Sequence, residues 1–357
     1  MKSTAYIQNE KLLAEINSTL HRLPERYYAG SIGIFLPANN GDIISAMSVL
    51  AYTDMLWPGK RVIWFCNYPA ADAFRYSDAV YEVRPYPWEG KEVDFNTNGM
   101  RLQHNNRLNL VKAKEFEITA DLQDGYFPAP WMFEPSQRPA IEYPLISKQV
   151  FGLGGHWAWH PYLCWSDQER EIASTWLKKN TPYFKELEKY DHGWNGTYIM
   201  METVCHSNQS AWNDNLTRIT MQECQKAVGA CGFIFAAESD IARFSDELTH
   251  KHSFMISVRD VFTIRQTVLL LKYCSLLVGI SSGISVASCA RGLDMVSGFK
   301  RHTVQYCGSR ICSTAAMATG PIEVIECEKY TSGPDWDHTE AERVFKENLV
   351  KTLNDIY

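Results

Sequence analysis

The sequence is short of the one thing a nucleic-acid surface requires, an excess of cations: its 35 Lys and Arg are outnumbered by 41 Asp and Glu, leaving a net charge of −6. Backbone phosphates are held by clustered Lys and Arg, so this balance excludes a dedicated nucleic-acid protein. No run of about 18 apolar residues is present, which excludes a bilayer-spanning helix. The opening MKSTAYIQNEKLLAEI is too polar for a signal peptide, and the expected location is the cytoplasm. Sequons beginning at Asn17, Asn195, Asn208 and Asn215 are chance matches in that compartment. Ten cysteines occur without a CxxC pair, Cys307 and Cys312 being the closest, so they read as reduced thiols rather than a zinc or redox site. No segment has the low hydropathy and high charge of a disordered tail.

What remains is an ordinary globular composition, 45% hydrophobic and 21% charged, over 357 residues. That length exceeds what one core supports, and two domains are expected. The N-terminal segment places Leu12, Leu13, Ile16 and Leu20 on one helical stripe. SIGIFLP at 31–37 reads as a buried strand, ANNG as a turn, and Asp42 as the start of an apolar helix running to about Met55. RVIWFC at 61–66 and AVYEVRPY are further strands, with a helical stretch after Pro69 between them. Residues 88–165, rich in Trp, Tyr, Pro and His, read as irregular and short helical structure. Ser166 and Glu169 have the spacing of a capping box and open a helix, after which NTPYFKELEKYDHGWNG is the best linker. The alternation then restarts, with strands at TYIMMETV, GFIFAAES and CSLLVGI, helices around 217–229 and 262–273, and a last helix from about Asp337. Alternating strands and helices predict parallel sheets, as in nucleotide-binding α/β proteins.

Two turns carry the chemistry. Asn40-Gly41-Asp42 follows the first strand, where a carboxylate points into the crevice that binds ligands in α/β folds. Asp42 could serve there as a general base or as a plain helix N-cap. In the second half, Gly279-Ile280-Ser281-Ser282-Gly283-Ile284-Ser285 links a strand to a helix. Its amides, hydroxyls and helix dipole suit a diphosphate, or equally a tight turn, and no Gly-Lys-Ser/Thr follows to make it a Walker motif. Glu202, His206 and Asn208, just after a strand, could contact phosphate or sugar. Glu238 could bind a ribose hydroxyl or serve its own loop. His156 could lie near an acceptor, and Trp131, Trp157, Trp159 and Trp165 could stack on sugar rings or pack in a core. Asp335-Trp336-Asp337 spells a DxD pattern but opens the last helix, so it reads as a cap and no metal is expected. Lys178–Lys179 and Lys300–Arg301 read as solvated surface or as a contact for an anionic lipid head.

Taken together, FLPANNGDIISAMSVL and FTIRQTVLLLKYCSLLVGISSGISVASCARG resemble the family 9 glycosyltransferases, the heptosyltransferases of lipopolysaccharide synthesis. The resemblance implies a GT-B fold, two Rossmann-like parallel-sheet domains facing a central cleft. The expected division is an acceptor-side domain at 1–185, a nucleotide-sugar domain at 186–335, and a C-terminal helix at 336–357 packing back on the first domain. It further implies a metal-independent, inverting transferase that moves a sugar from a nucleotide-sugar donor to a glycan or glycolipid acceptor. Asp42 matches the family's catalytic base, and the turn at 279–285 its donor-diphosphate site. The family has Asp-Thr-Gly or Asp-Ser-Gly where this chain has Ser281-Ser282-Gly283, so the donor sugar stays open. A nucleotide-sugar epimerase and a non-catalytic nucleotide- or glycan-binding subunit are the competing readings. No cofactor is expected, and membrane contact would be peripheral.

Overall fold

Short β-branched and aromatic runs separated by helices suit parallel pairing through helical crossovers, and the chain builds two such sheets. The computed structural model describes residues 4–20, 24, 27–36, 40–66, 68–85, 118–121, 161–182, 197–204, 212–280, 282–288, 290, 293, 302–307, 322–326 and 338–357. Contacts divide the chain into two units, Met1–Trp165 and Ser166–Tyr357.

In the first unit, strands β1 (Ser31–Phe35), β2 (Arg61–Cys66), β3 (Glu82–Pro85) and β4 (Ile118–Asp121) form one sheet in the order β3-β2-β1-β4. Every pair is parallel. Strand β4 lies in the stretch that reads as irregular from sequence, yet it pairs Phe35 with Asp121 beside the first strand. Helix α1 (Thr4–Ser18) buries Ile16, as its periodicity predicts. Asn17 on α1 does more: its Nδ2 donates to the Val83 carbonyl at 2.9 Å, and its Oδ1 accepts from the Val83 amide at 2.8 Å. The side chain thereby satisfies the backbone of edge strand β3, a use of Asn17 that its sequon conceals.

The helix expected from Asp42 to Met55 is broken into three pieces. Helix α2 (Asn40–Ala46) is followed by a 3₁₀ segment, Met47–Tyr52, and by α3 (Thr53–Leu56). Met47, Ser48, Val49 and Leu50 are all buried. Four consecutive buried residues cannot share one α-helical face, and the tighter 3₁₀ winding suits a segment enclosed all round.

The second unit opens with α4 (Asp167–Asn180), whose capping box is present as expected: the Ser166 hydroxyl accepts from the Glu169 amide, and the Glu169 carboxylate from the Ser166 amide. Six parallel strands follow: β5 (Tyr198–Glu202), β6 (Gly232–Phe235), β7 (Phe254–Ser257), β8 (Cys274–Ile280), β9 (His302–Cys307) and β10 (Ile322–Glu326). Their order is β10-β9-β8-β5-β6-β7. Helices α5 (Asp214–Val228), α6 (Ile264–Leu270), α7 (Gly283–Ala287) and α8 (His338–Ile356) complete the unit.

Two expectations about domain limits change. The units part at 165/166 rather than 185/186, because α4 is fastened within the second unit. Arg265 of α6, 1% exposed, forms a two-pronged ion pair with the Glu169 carboxylate, which also accepts from Gln266 at 3.3 Å. The C-terminal helix, expected to return to the first domain, is part of the second unit's core: Phe345, Leu349 and Leu353 share one buried cluster with Ile199, Phe233, Leu276 and Val278. Each such side chain contributes about 1.5–3 kcal/mol on burial, which ties α8 to this sheet. Among the described residues, Cys66, Cys164, Cys224, Cys231 and Cys274 are free thiols, and no helix is long and apolar enough to cross a membrane.

Candidate functional site

In each sheet the chain runs outward from its first strand to one edge and then resumes on the first strand's other side. The reversal falls between β1 and β4 in the first unit and between β5 and β8 in the second. Helices leaving adjacent strands in opposite directions open a crevice at the carboxyl ends there, the place where doubly wound sheets bind ligands. Several of the described sequence candidates fall at these two points. Asn40, Gly41 and Asp42 form the first turn of α2, after β1. Glu202 ends β5, and the turn into α7 follows β8. Ser281, His156, His206 and Asn208 lie outside the described residues, as do Trp131, Trp157, Trp159, the 335–337 motif and Lys300–Arg301. Lys178 and Lys179 are exposed in the last turn of α4, where cations complement the helix dipole.

Gly279 is a strand residue rather than part of the turn, and it stands in register with Glu202 of β5. A Cβ on Gly279 would lie 2.3 Å from the Glu202 carbonyl oxygen and 2.7 Å from the Glu202 Cβ. The bare glycine is therefore needed for β5 and β8 to approach.

The turn that follows is held by its own serines. Ser282 Oγ accepts from the amides of Ile284 at 3.1 Å and Ser285 at 3.3 Å, capping α7. In return, Ser285 Oγ lies 2.8 Å from both the Ser282 amide, from which it accepts, and the Ser282 carbonyl, to which it donates. Ser285 is 2% exposed, and Ile284 is buried as well. Two amides of the turn, those of Ile284 and Ser285, are thus turned on Ser282.

Two carboxylates at this sheet edge, Glu202 and Glu238, meet opposite environments. Glu202 is 3% exposed, and its Oε2 is buried without a hydrogen-bond partner among the described residues. Burial alone pushes its carboxyl up to about 8, so at neutral pH it is mostly a neutral acid. The adjoining Thr203 Oγ1 is also buried without a partner. Glu238, after β6, is held instead by protein donors: Arg243 Nη2 at 2.9 Å and the Asp240 amide at 3.0 Å. The Arg243 hydrogen bond keeps it below the usual carboxylate range. Arg243 also binds the Asp214 carboxylate at 3.1 Å, so Glu238 is one corner of a loop fastening. Pairs of acids whose environments drive them apart in this way are a common mark of a functional site.

Sequence reasoning reached Glu202 from its place at the end of an apolar strand, but missed Thr203, one residue further on. It also missed Arg243, five residues on, as the partner of Glu238, and Asp214 as the second carboxylate on Arg243. Among the described residues, no group of three or more His, Cys, Asp or Glu side chains is placed to hold a metal ion.

Two doubly wound parallel-sheet units, each with candidate residues at its switch point, define a two-domain α/β protein. No family model matches the chain, and no curated protein matches it by sequence. Solved structures do share its fold. It is similar to a family 9 glycosyl transferase from Veillonella parvula, at 12% identity and a TM-score of 0.57, covering 91% of this chain and 98% of that one. ADP-heptose lipopolysaccharide heptosyltransferase II of E. coli is similar at 12% identity and a TM-score of 0.55, covering 91% and 99% of the two chains. The E. coli heptosyltransferase WaaC, solved with ADP-2-deoxy-2-fluoro heptose, is similar at 12% identity and a TM-score of 0.51 over 90% and 99%. The chain has the fold of the family 9 glycosyltransferases, as its motifs imply.

Proposed function

We propose that the protein is a glycosyltransferase that moves a sugar from a nucleotide-sugar donor to a hydroxyl of a glycan or glycolipid. The observation that carries this reading is a fold shared along nine-tenths of the chain with a family 9 glycosyl transferase and two heptosyltransferases. The donor is assigned to the second unit, at the switch point between β5 and β8. There its diphosphate would meet the turn into α7 and replace the Ser282 hydroxyl as acceptor for the amides of Ile284 and Ser285. Such donors at a helix start stabilise the charge that develops on the departing nucleoside diphosphate, and they do so without a metal. Asp42 is the base in this scheme. It takes the proton from the acceptor hydroxyl as that oxygen attacks the anomeric carbon, and the bond from that carbon to the diphosphate breaks with inversion.

A thermal-shift screen of nucleoside diphosphates and their sugars tests the reading. A ligand at 100 times its dissociation constant stabilises by about 2.7 kcal/mol, and such a shift is expected from at least one nucleotide. No shift with any of them would sink the proposal. With the donor known, Asp42→Asn should bind it as the wild type does and lose transfer. Full activity in that variant would remove Asp42 from the mechanism.

A further inference from the structure

We propose that Glu202 enters the donor site as a neutral carboxylic acid and donates a hydrogen bond to an anionic oxygen of the nucleoside diphosphate, so that donor binding requires its proton. This rests on the glycosyltransferase reading above and adds a recognition residue to it. The geometry has three parts. Glu202 ends the first strand of the second sheet, at the switch point, in register with Gly279. Gly279 has no side chain to separate the two backbones, so the strand leading into the phosphate turn lies directly against Glu202. Finally, Glu202 Oε2 and Thr203 Oγ1 are both buried with no hydrogen-bond partner among the described residues. A buried polar atom left unpaired costs about 1–3 kcal/mol, a cost that a ligand at this edge would remove.

The surroundings favour a donor over an acceptor. On the flanking strands this edge carries Phe235 and Ala236 on one side and Gly279 and Ile280 on the other, none of which titrates. Further along the edge, Glu238 and Arg243 hold each other. With no cation assigned to it among the described residues, an ionised Glu202 would repel a diphosphate. A protonated one offers the O–H that an anionic oxygen accepts best. Burial, the sole cause of the raised carboxyl, maintains that form.

Calorimetric titration of ADP, UDP and GDP into the wild type and Glu202→Gln across the neutral to alkaline range tests this. Wild-type affinity should hold at neutral pH and weaken about tenfold per pH unit above the carboxyl's titration. Glu202→Gln, which keeps an N–H donor, should bind without that loss; the ligand's own ionisation is common to both proteins and cancels in their ratio. The wild type alone, titrated in buffers of different ionisation enthalpy, should take up close to one proton on binding above the transition and none well below it. Parallel profiles for the two proteins, or proton release on binding, would overturn the inference; release would mark Glu202 as a carboxylate accepting from a ribose or sugar hydroxyl. If a nucleotide binds without this pH response, only the role of Glu202 falls. If none binds at any pH, the glycosyltransferase reading falls with it.

Discussion

Replacing Glu202 with Gln should stabilise the protein, and the gain should grow with pH. The carboxyl titrates at its ordinary value of 4.5 in the unfolded chain and at about 8 when folded. Between those values the folded state keeps a proton that the unfolded state has released. The favourable contribution is therefore complete below the unfolded value and is lost as pH rises through the folded one. At about 1.4 kcal/mol per pH unit, the wild type gives up roughly 3 kcal/mol by pH 7 and roughly 5 kcal/mol above pH 8. Gln has the same shape and no proton to lose, so it escapes this penalty. Urea unfolding of both proteins at a series of pH values from mildly acidic to mildly alkaline reads the difference directly. A stability difference that stays flat across that range would show that Glu202 ionises as an exposed carboxylate does, and would refute the burial argument.

Three other substitutions probe the framework around the site. Gly279→Ala puts a Cβ against the backbone of Glu202 and should cost about 1–3 kcal/mol or more in denaturant unfolding, since backbone cannot step aside as a flexible side chain can; an unchanged midpoint would contradict the close strand approach. Arg265→Met strands the buried Glu169 carboxylate and should cost about 3–5 kcal/mol, and the double variant with Glu169→Gln should recover part of that loss. A simple sum of the two single effects would mean that the residues do not act as a pair. Ser282→Ala removes the cap from the amides of Ile284 and Ser285 and should cost about 1 kcal/mol while nucleotide binding persists; loss of binding would make the hydroxyl itself a ligand contact.

Sequence reading succeeded where local chemistry decides the outcome. CSLLVGI is apolar apart from Ser275 and is followed by a polar turn, and it is β8 residue for residue. The Ser166–Glu169 spacing specifies a cap whatever surrounds it, and the 3.6-residue period places Phe345, Leu349 and Leu353 on the buried face of α8. It failed where pairing decides. The four residues of β4 carry no run long enough to announce a strand, and they are one because β1 offers a free edge. The same holds at the site. A strand ending in Glu202 and a strand feeding a Gly-Ser turn are visible in the sequence, whereas their adjacency is a product of strand order. That adjacency gives Gly279 its structural duty, and burial in the folded unit gives Glu202 its raised carboxyl. Glu238 could be read as a ribose ligand or as a residue of its own loop, and its ion pair with Arg243, itself bound to Asp214, forms only once the loop is folded.

Hydrogen exchange with and without a binding nucleotide sugar tests the central claim most directly. The account predicts slowed exchange in the second unit at the end of β5, around 200–204, and in the turn and helix at 282–288, with the remote edge strand β7 unchanged. Protection confined to other segments, or none at saturating ligand, would contradict it.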